Sequence, residues 1–424
     1  MTGTCDKRPQ RERQQGDMRE QVVPGCPSAA GSGALVEELR PVYPARVSGS
    51  AGCETWNVDF SPDGSRFAWS MGYGVVKVFD WPAPGDSDSK AMSNEKTLKC
   101  EDTVWGLAFG PRPPNWASAG RQARAKVPEK KEQKLLLATG LHNGTIKVWG
   151  ASGGDLLFDL KGHQSLVRDL EFTPNGTLTL VSGSRDKTLR VWDLAKKGKN
   201  PQVLAGHGGW VVGCSVSPDS SMVASVCSSD NKVYLWSLRS YTFIRNLNKD
   251  DKRQVMTSCD FSLDGAVLAV GSYNSAGWSL DLWDPYTSQH LAFLQDCKSS
   301  DLIRSLRFSP DGLYLAFITD QSALRVWEFG QKTFALDAHT VTNELCCTFH
   351  PQGGIIATGT RDGCIKFWRI PRVVPTLSHI CRTVVRFSVS THQVEALPIP
   401  KKLVKFLTYK DLLTVQTHCT SRAP

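Results

Sequence analysis

The sequence predicts an all-β fold, a β-propeller of seven blades, followed by a small α-helical segment at the C-terminus. Three observations predict it. A strand-like segment ending in an aromatic residue recurs seven times. Ahead of most copies lies a second strand that ends in a Pro-Asp/Asn-Gly type of turn. After the last copy the two-residue alternation stops and a helical spacing of apolar residues takes over.

The recurring segments are VKVFD (Phe79), IKVWG (Trp149), LRVWD (Trp192), VYLWS (Trp236), LDLWD (Trp283), LRVWE (Trp327) and IKFWR (Trp368). From Trp149 onward their spacings are 43, 44, 47, 44 and 41 residues, and the first spacing, 70, is long because an insertion follows Phe79. A fixed period of this size indicates repeated supersecondary units stacked on one another. The partner strands carry FSPDG at Phe60, FTPNG at Phe172, VSPDS at Val216, FSLDG at Phe261, FSPDG at Phe308 and FHPQG at Phe349. Pro followed by Asp/Asn-Gly is hairpin chemistry, with glycine taking the positive φ. With Gly162-His163 and Gly206-His207, these features resemble the WD40 repeat over residues 52–370.

The WD40 resemblance implies four-stranded blades around a central channel. It also implies a buried hydrogen-bonded series of His, Ser/Thr, Asp and Trp within a blade. His163, Ser182 or Ser184, Asp186 and Trp192 match it in the third blade, and His207, Asp230 and Trp236 in the fourth. Asp362 stands before Trp368 as Asp186 does before Trp192. These residues are expected to specify the fold, not to catalyse. Tyr73, Asn143 and Gln321 occupy the Asp position elsewhere, and the longer SYNSAGWSLDLWD leaves the register of the fifth blade open. The last repeat strand runs directly into the C-terminal segment. The seventh blade therefore needs an outer strand from elsewhere, and the stretch from Ala34-Leu35-Val36 to Pro44-Ala45-Arg46-Val47 is the candidate, its prolines suiting an edge.

Expected boundaries are a disordered basic head at 1–33, the propeller at 34–370 with insertions at about 82–99 and 111–134, a helical segment at 371–409 and a flexible tail at 410–424. The thirteen cysteines show no CxxC or zinc spacing, so no metal, cofactor or disulfide is expected. Neither a signal-peptide core nor a membrane-length apolar run is present, which favours an intracellular protein of cytoplasm or nucleus with no membrane partner. The net charge of +9 draws on Lys7, Arg8, Arg11, Arg13 and Arg19 in the head and on Arg121, Arg124, Lys126, Lys130, Lys131 and Lys134 in the insertion. These read as solvated loops, so nucleic acid is not an expected partner; a patch for an acidic partner is the rival reading.

In the C-terminal segment, Thr376 follows Pro375, and Leu377, Cys381 and Val384/Val385 fall at i, i+4 and i+7/i+8, one apolar stripe on a helix, with Arg382 and Arg386 off it. A helix this short must bury its stripe against something. On spacing alone the blander reading is a terminal helix docked on its own domain. The residues themselves resemble the SOCS box, in both its halves and in the right order: Leu377 and Cys381 first, then Leu397-Pro398-Ile399-Pro400, with Val394 ahead and Leu403, Phe406 and Leu407 behind. The resemblance implies that Leu377, Cys381, Val384 and Val385 bind elongin C, which carries elongin B. It likewise implies that Leu397–Pro400 choose cullin-5 with its RING partner, each proline stiffening the turn.

Propellers present partners with the rim where the chain enters each innermost strand. The residues four before each strand's Phe or Val are Trp56, Trp105, Arg168, Val212, Thr257, Arg304 and Leu345, with Trp210 close by. Two tryptophans and two arginines here have the composition of a binding hot spot for a substrate protein; packing of Trp56 and Trp105 is the rival reading. No nucleophile elbow, phosphate loop, HExxH or paired-carboxylate signature is present, so no enzyme is expected. Together the two halves are similar to the WD repeat and SOCS box-containing proteins, on Cys53-Glu54-Thr55-Trp56, VRDLEFTPNGTLTLVSGSRDKTLRVWDL, SLRSYTFIRNL and ALPIPKKLVKFLTY. The resemblance implies a substrate-recognition adaptor of an elongin B/C–cullin-5 ubiquitin ligase. The alternatives are a plain scaffold propeller and a cullin-4-type receptor, whose Trp-Asp-x-Arg is missing at Trp192-Asp193-Leu194-Ala195 and Trp283-Asp284-Pro285-Tyr286.

Overall fold

The computed structural model describes residues 20–24, 35–41, 53–81, 93–110, 135–248, 254–274, 277–296, 301–320, 323–329, 334–339, 343–371, 375–389, 391–412 and 415–416. Both basic clusters, Gln321, Ala34 and Pro44–Val47 lie outside the described residues.

Strands form seven sheets, each built on an antiparallel run of four, and two of them carry a fifth strand at the outer edge. Blade three is typical: Val167–Phe172, Thr179–Ser184, Thr188–Asp193 and Gln202–Ala205 pair in sequence order. A hydrophobic cluster fills each blade-to-blade boundary, so the core is a ring of seven interfaces. Between the innermost strands runs a series of carboxylate latches. Asp59 accepts the backbone N–H of Phe109 at 2.8 Å, Asp169 that of Cys214 at 2.9 Å, Glu171 that of Val216 at 2.9 Å and Asp260 that of Phe308 at 2.7 Å. Each ties one blade to the next.

The ring closes as the sequence requires. Leu35–Pro41 pairs antiparallel with Ile365–Arg369, placing Leu35 opposite Trp368 and Leu39 opposite Ile365. Leu39 is buried in the cluster shared by the last and first blades. The strand is not an edge, however, because Glu20–Pro24 pairs outside it. The head is therefore not wholly unstructured, and Pro41 is tolerated because it ends its strand.

Two further boundaries are corrected. Ser93–Lys99, placed by the sequence within an insertion, is the outer strand of blade one. Its Glu95, Lys96, Thr97 and Lys99 are exposed and Leu98 is buried against the core, so no apolar alternation announced it. Val415–Gln416, in the expected flexible tail, pairs parallel with Leu294 and Gln295 of blade five. The register left open in blade five is an in-line pairing of Leu268 with Trp283 through Asn274 with Gly277, which buries Trp278.

The expected blade network is complete in blade three. The Trp192 indole donates to Ser182 at 2.9 Å, Ser182 lies 2.7 Å from His163 Nε2, and His163 Nδ1 donates to Asp186 at 2.7 Å. Ser182, not Ser184, is the link; Ser184 donates to the Ser165 carbonyl. Burial would raise the Asp186 carboxyl, but hydrogen bonds from His163 and Thr188 hold it well below the usual carboxylate range.

Blade four departs from the pattern. Trp236 and His207 meet at Ser225 (both 2.8 Å), but Asp230 turns to Tyr234 (2.9 Å) and Cys227 (2.7 Å), and His207 Nδ1 has no partner among the described residues. An additional residue in SVCSSD relative to SGSRD displaces the aspartate. In the last blade Asp362 accepts from Thr360, and Trp368 donates to Thr358 at 3.0 Å.

Candidate functional site

Three helices follow the propeller: α1 (Leu377–Ser388), α2 (Thr391–Glu395) and α3 (Lys401–Leu407). Thr376 caps α1, its side chain accepting the His379 N–H at 3.2 Å, and Pro375 precedes the cap. A threonine cap contributes about 1 kcal/mol.

The helix is docked with its faces reversed from the usual amphipathic arrangement. Its polar face points inward. The Arg382 guanidinium lies 3.8 Å from the Phe406 ring centroid and 4.3 Å from that of Tyr409, and contacts Asp411 at 3.4 Å. Arg386 is buried and donates to Thr391 at 2.8 Å. His379 donates to the Asp311 carbonyl, on a hairpin turn of blade six, at 3.1 Å. Tyr409, behind α3, donates to Asp264 on the matching turn of blade five at 2.7 Å and packs edge-on against Phe329. Burial and the adjacent Asp264 push the Tyr409 hydroxyl well above its ordinary pKa.

The apolar face is left outward. Leu377 is 76% exposed and Val384 61%, and Ile380, Cys381 and Phe387 are exposed beside them, while Val385 is half-buried. The helix does dock on its own domain, but not through its apolar stripe. Leu397, Pro398 and Pro400 are exposed on the turn between α2 and α3. That turn is pinned by the fully buried Val394, whose carbonyl accepts the Leu397 N–H at 3.2 Å. The C-terminal end of α1, from Arg386, and Val389 just after it form part of the wall of a cavity of about 780 Å³ at the bottom of the propeller channel. Asp169, Glu171, Asp260 and Arg307 line it. The three carboxylates hold the Arg307 guanidinium well above its usual pKa even though burial opposes this.

On the opposite rim, Trp56 and Trp105 stack at 4.0 Å. Arg168 lies 5.8 and 5.7 Å from their ring centroids. Arg185 lies 5.5 Å from Trp105 and 4.6 Å from Trp210, which is 49% exposed. The five residues make one ladder, with Arg168 against the stacked Trp56–Trp105 pair and Arg185 between Trp105 and Trp210. Arg304 stands apart from it, paired with Asp320. The sequence reading missed Arg185. It precedes Asp186 in the turn between the second and third strands, which opens on the same rim, whereas the search counted only residues leading into innermost strands.

Among the described residues, His207, Cys227 and Asp230 bring potential metal-ligating atoms within 4.8 Å of one another. Cys227 and Tyr234 already donate to Asp230, and that hydrogen bonding accounts for the cluster without an ion.

A seven-bladed WD40 propeller whose last blade leads into a docked SOCS box defines a substrate-recognition adaptor for a ubiquitin ligase, not a catalyst. Family models agree on both parts: the WD domain, G-beta repeat matches residues 154–193, 198–237 and 330–369, and the SOCS box matches 373–408. WD repeat and SOCS box-containing protein 1 of Homo sapiens is 38% identical over 88% of this chain and 95% of its own length. Its Danio rerio counterpart is 37% identical over 90% and 97%. A serine-threonine kinase receptor-associated protein of Gallus gallus is 25% identical over 55% of the chain and 63% of its own length. The chain belongs to the WD repeat and SOCS box-containing protein family. Passages such as Cys53–Trp56 and ALPIPKKLVKFLTY suggest protein 2 of that family in particular; these relatives support the family and not that member.

Proposed function

We propose that the chain is the substrate receptor of an elongin B/C–cullin-5 ubiquitin ligase. The observation that carries this reading is the reversed docking of α1. Its cationic face is taken up against the residues that follow it, Phe406, Tyr409 and Thr391, and Leu377, Ile380, Cys381 and Val384 are left in water, where an apolar stripe is costly unless a partner covers it. Elongin C is that partner, with Leu377 filling its pocket and Cys381, Val384 and Val385 packing beside it. Leu397–Pro400 form the cullin-choosing turn. The rim of Trp56, Trp105, Arg168, Trp210 and Arg304 captures the substrate. Transfer is then accelerated by proximity, because tethering raises the effective concentration of substrate lysines near the charged conjugating enzyme.

Co-purification with elongin B/C and cullin-5 tests the assembly. Leu377→Ala/Cys381→Ala should lose elongin C, and alanine at Leu397–Pro400 should lose cullin-5 alone. Wild-type protein that binds neither would be a scaffold propeller. The rim is tested separately: if Trp105→Ala, Arg168→Ala and Arg304→Ala each left substrate capture unchanged, that assignment would be wrong.

A further inference from the structure

Among the described residues the guanidiniums of the rim ladder meet no anion. Among the described residues neither Arg168 nor Arg185 has a carboxylate within ion-pair distance, and the buried Trp105 indole N–H has no hydrogen-bond partner. Arg168 reaches only the Trp105 carbonyl, at 3.5 Å. Arg304, which also enters this mouth, is neutralised by Asp320. Burial pulls the Arg168 pKa below its ordinary value; Asp169 opposes this, and Arg304 and Arg185 reinforce it. The ring faces lower the cost of holding the two cations but do not replace an anion. At the other end of the channel the α1 terminus forms part of the wall, and Arg307 is already matched by three carboxylates. The unmatched positive charge is therefore at the top.

We infer that this mouth binds an acidic peptide segment of the substrate, which presents a carboxylate to Arg168 and Arg185 and lays a neighbouring apolar side chain on the open Trp210 ring. The inference rests on the substrate-receptor reading and specifies what that receptor recognises. A carboxylate accepts two parallel N–H bonds from a guanidinium. The ladder then contributes the aromatic and arginine anchors typical of binding hot spots. Nucleic acid fits less well: it needs a stripe of cations along repeated phosphates, and here Asp186 and Asp320 interrupt the mouth.

The test is fluorescence anisotropy on the full chain bound to elongin B/C. The probes are a fluorescein-labelled dodecapeptide alternating glutamate with phenylalanine, its glutamine and phosphoserine counterparts, and an oligothymidylate of equal length. The glutamate peptide should bind, and the glutamine peptide should bind about tenfold more weakly or worse. Arg168→Gln and Arg185→Gln should each weaken the glutamate peptide about tenfold or more, and added salt should weaken it further. Melting curves separate loss of binding from loss of fold, and Trp210→Ala, at a half-exposed position, supplies a variant with an intact core. Equal affinity for glutamate and glutamine peptides would overturn the inference, as would binding confined to the phosphoserine peptide or the oligonucleotide. If the arginine variants still captured substrate protein that Trp210→Ala lost, the acidic chemistry would fall and the receptor would stand. Failure of wild type to bind elongin C would instead remove the receptor reading itself.

Discussion

Leu377→Ala and Arg382→Ala, five residues apart on α1, should act on different properties of the chain. Leu377 is three-quarters exposed, so its truncation should change the stability of the free protein by no more than about 0.5 kcal/mol. Against a partner the same side chain becomes buried, and covering most of a leucine is worth about 2 kcal/mol, roughly thirtyfold in Kd. Arg382 is the reverse case. Its side chain is 11% exposed and lies over two aromatic rings, each such contact contributing about 1 kcal/mol in a partly desolvated site. The ion pair with the more exposed Asp411 adds a few tenths at most. Losing both rings should loosen α1 from α3 by about 2 kcal/mol and speed amide exchange along α1 about thirtyfold. Calorimetric titration with purified elongin B/C and hydrogen-exchange mass spectrometry of both variants make the comparison. If Leu377→Ala accelerated exchange as much as Arg382→Ala, or left elongin affinity unchanged, the outward placement of the stripe would be refuted.

Three further outcomes concern the propeller. Burial lowers the His207 pKa from 6.5 to about 4, and Asp230 opposes this with a smaller effect. Above pH 6.5 the imidazole is neutral whether the chain is folded or not; between 6.5 and about 4 only the unfolded chain takes up the proton, so stability should fall by up to about 3 kcal/mol across that window. Melting temperatures over a pH series should drop less steeply in His207→Gln. Ser182→Ala removes the hydroxyl shared by Trp192 and His163, leaving two buried groups unsatisfied, and should cost roughly 2–4 kcal/mol in denaturant titration. Gly144 has φ +87°, and a Cβ there would lie 2.6 Å from the His163 carbonyl oxygen; Gly144→Ala should cost about 2 kcal/mol or more by scanning fluorimetry.

What was legible in the sequence follows from what repeats. The third strand of every blade must end in a large aromatic to fill a boundary between sheets, so Phe79 through Trp368 mark seven blades directly. Closure was legible by elimination, because a seventh sheet lacking a fourth strand had to borrow one, and Leu35–Pro41 supplies it. Outer strands carry no such obligation. Ser93–Lys99 buries Leu98 against the core but leaves Glu95, Lys96, Thr97 and Lys99 exposed, and a polar strand at a blade edge looks like a loop. The carboxylates Asp59, Asp169, Glu171 and Asp260 were equally hidden. Within their own strands they are ordinary polar positions, and their role appears only when the next blade's backbone is set beside them. The faces of α1 were hidden for a related reason. Periodicity identifies an apolar stripe but not whether the chain itself covers it, and here Phe406 and Tyr409 favour the arginine face through their rings.

The clamp between the two parts bears on how such a receptor would work. The SOCS box is fixed to the hairpin turns of blades five and six at two separate points, Tyr409 on Asp264 and His379 on Asp311. Two points of attachment on neighbouring blades set direction as well as position, where one would leave a hinge. Whatever the rim holds is then displayed at a fixed distance from whatever α1 holds. Effective concentration between tethered sites is greatest when the spacer matches the span and falls as it lengthens, so a rigid mount favours lysines within a limited zone of the bound protein. Loosening the mount at Arg382 should therefore broaden the choice of modified lysines before it lowers the total amount of modification, a distinction that mapping sites on a captured protein can make.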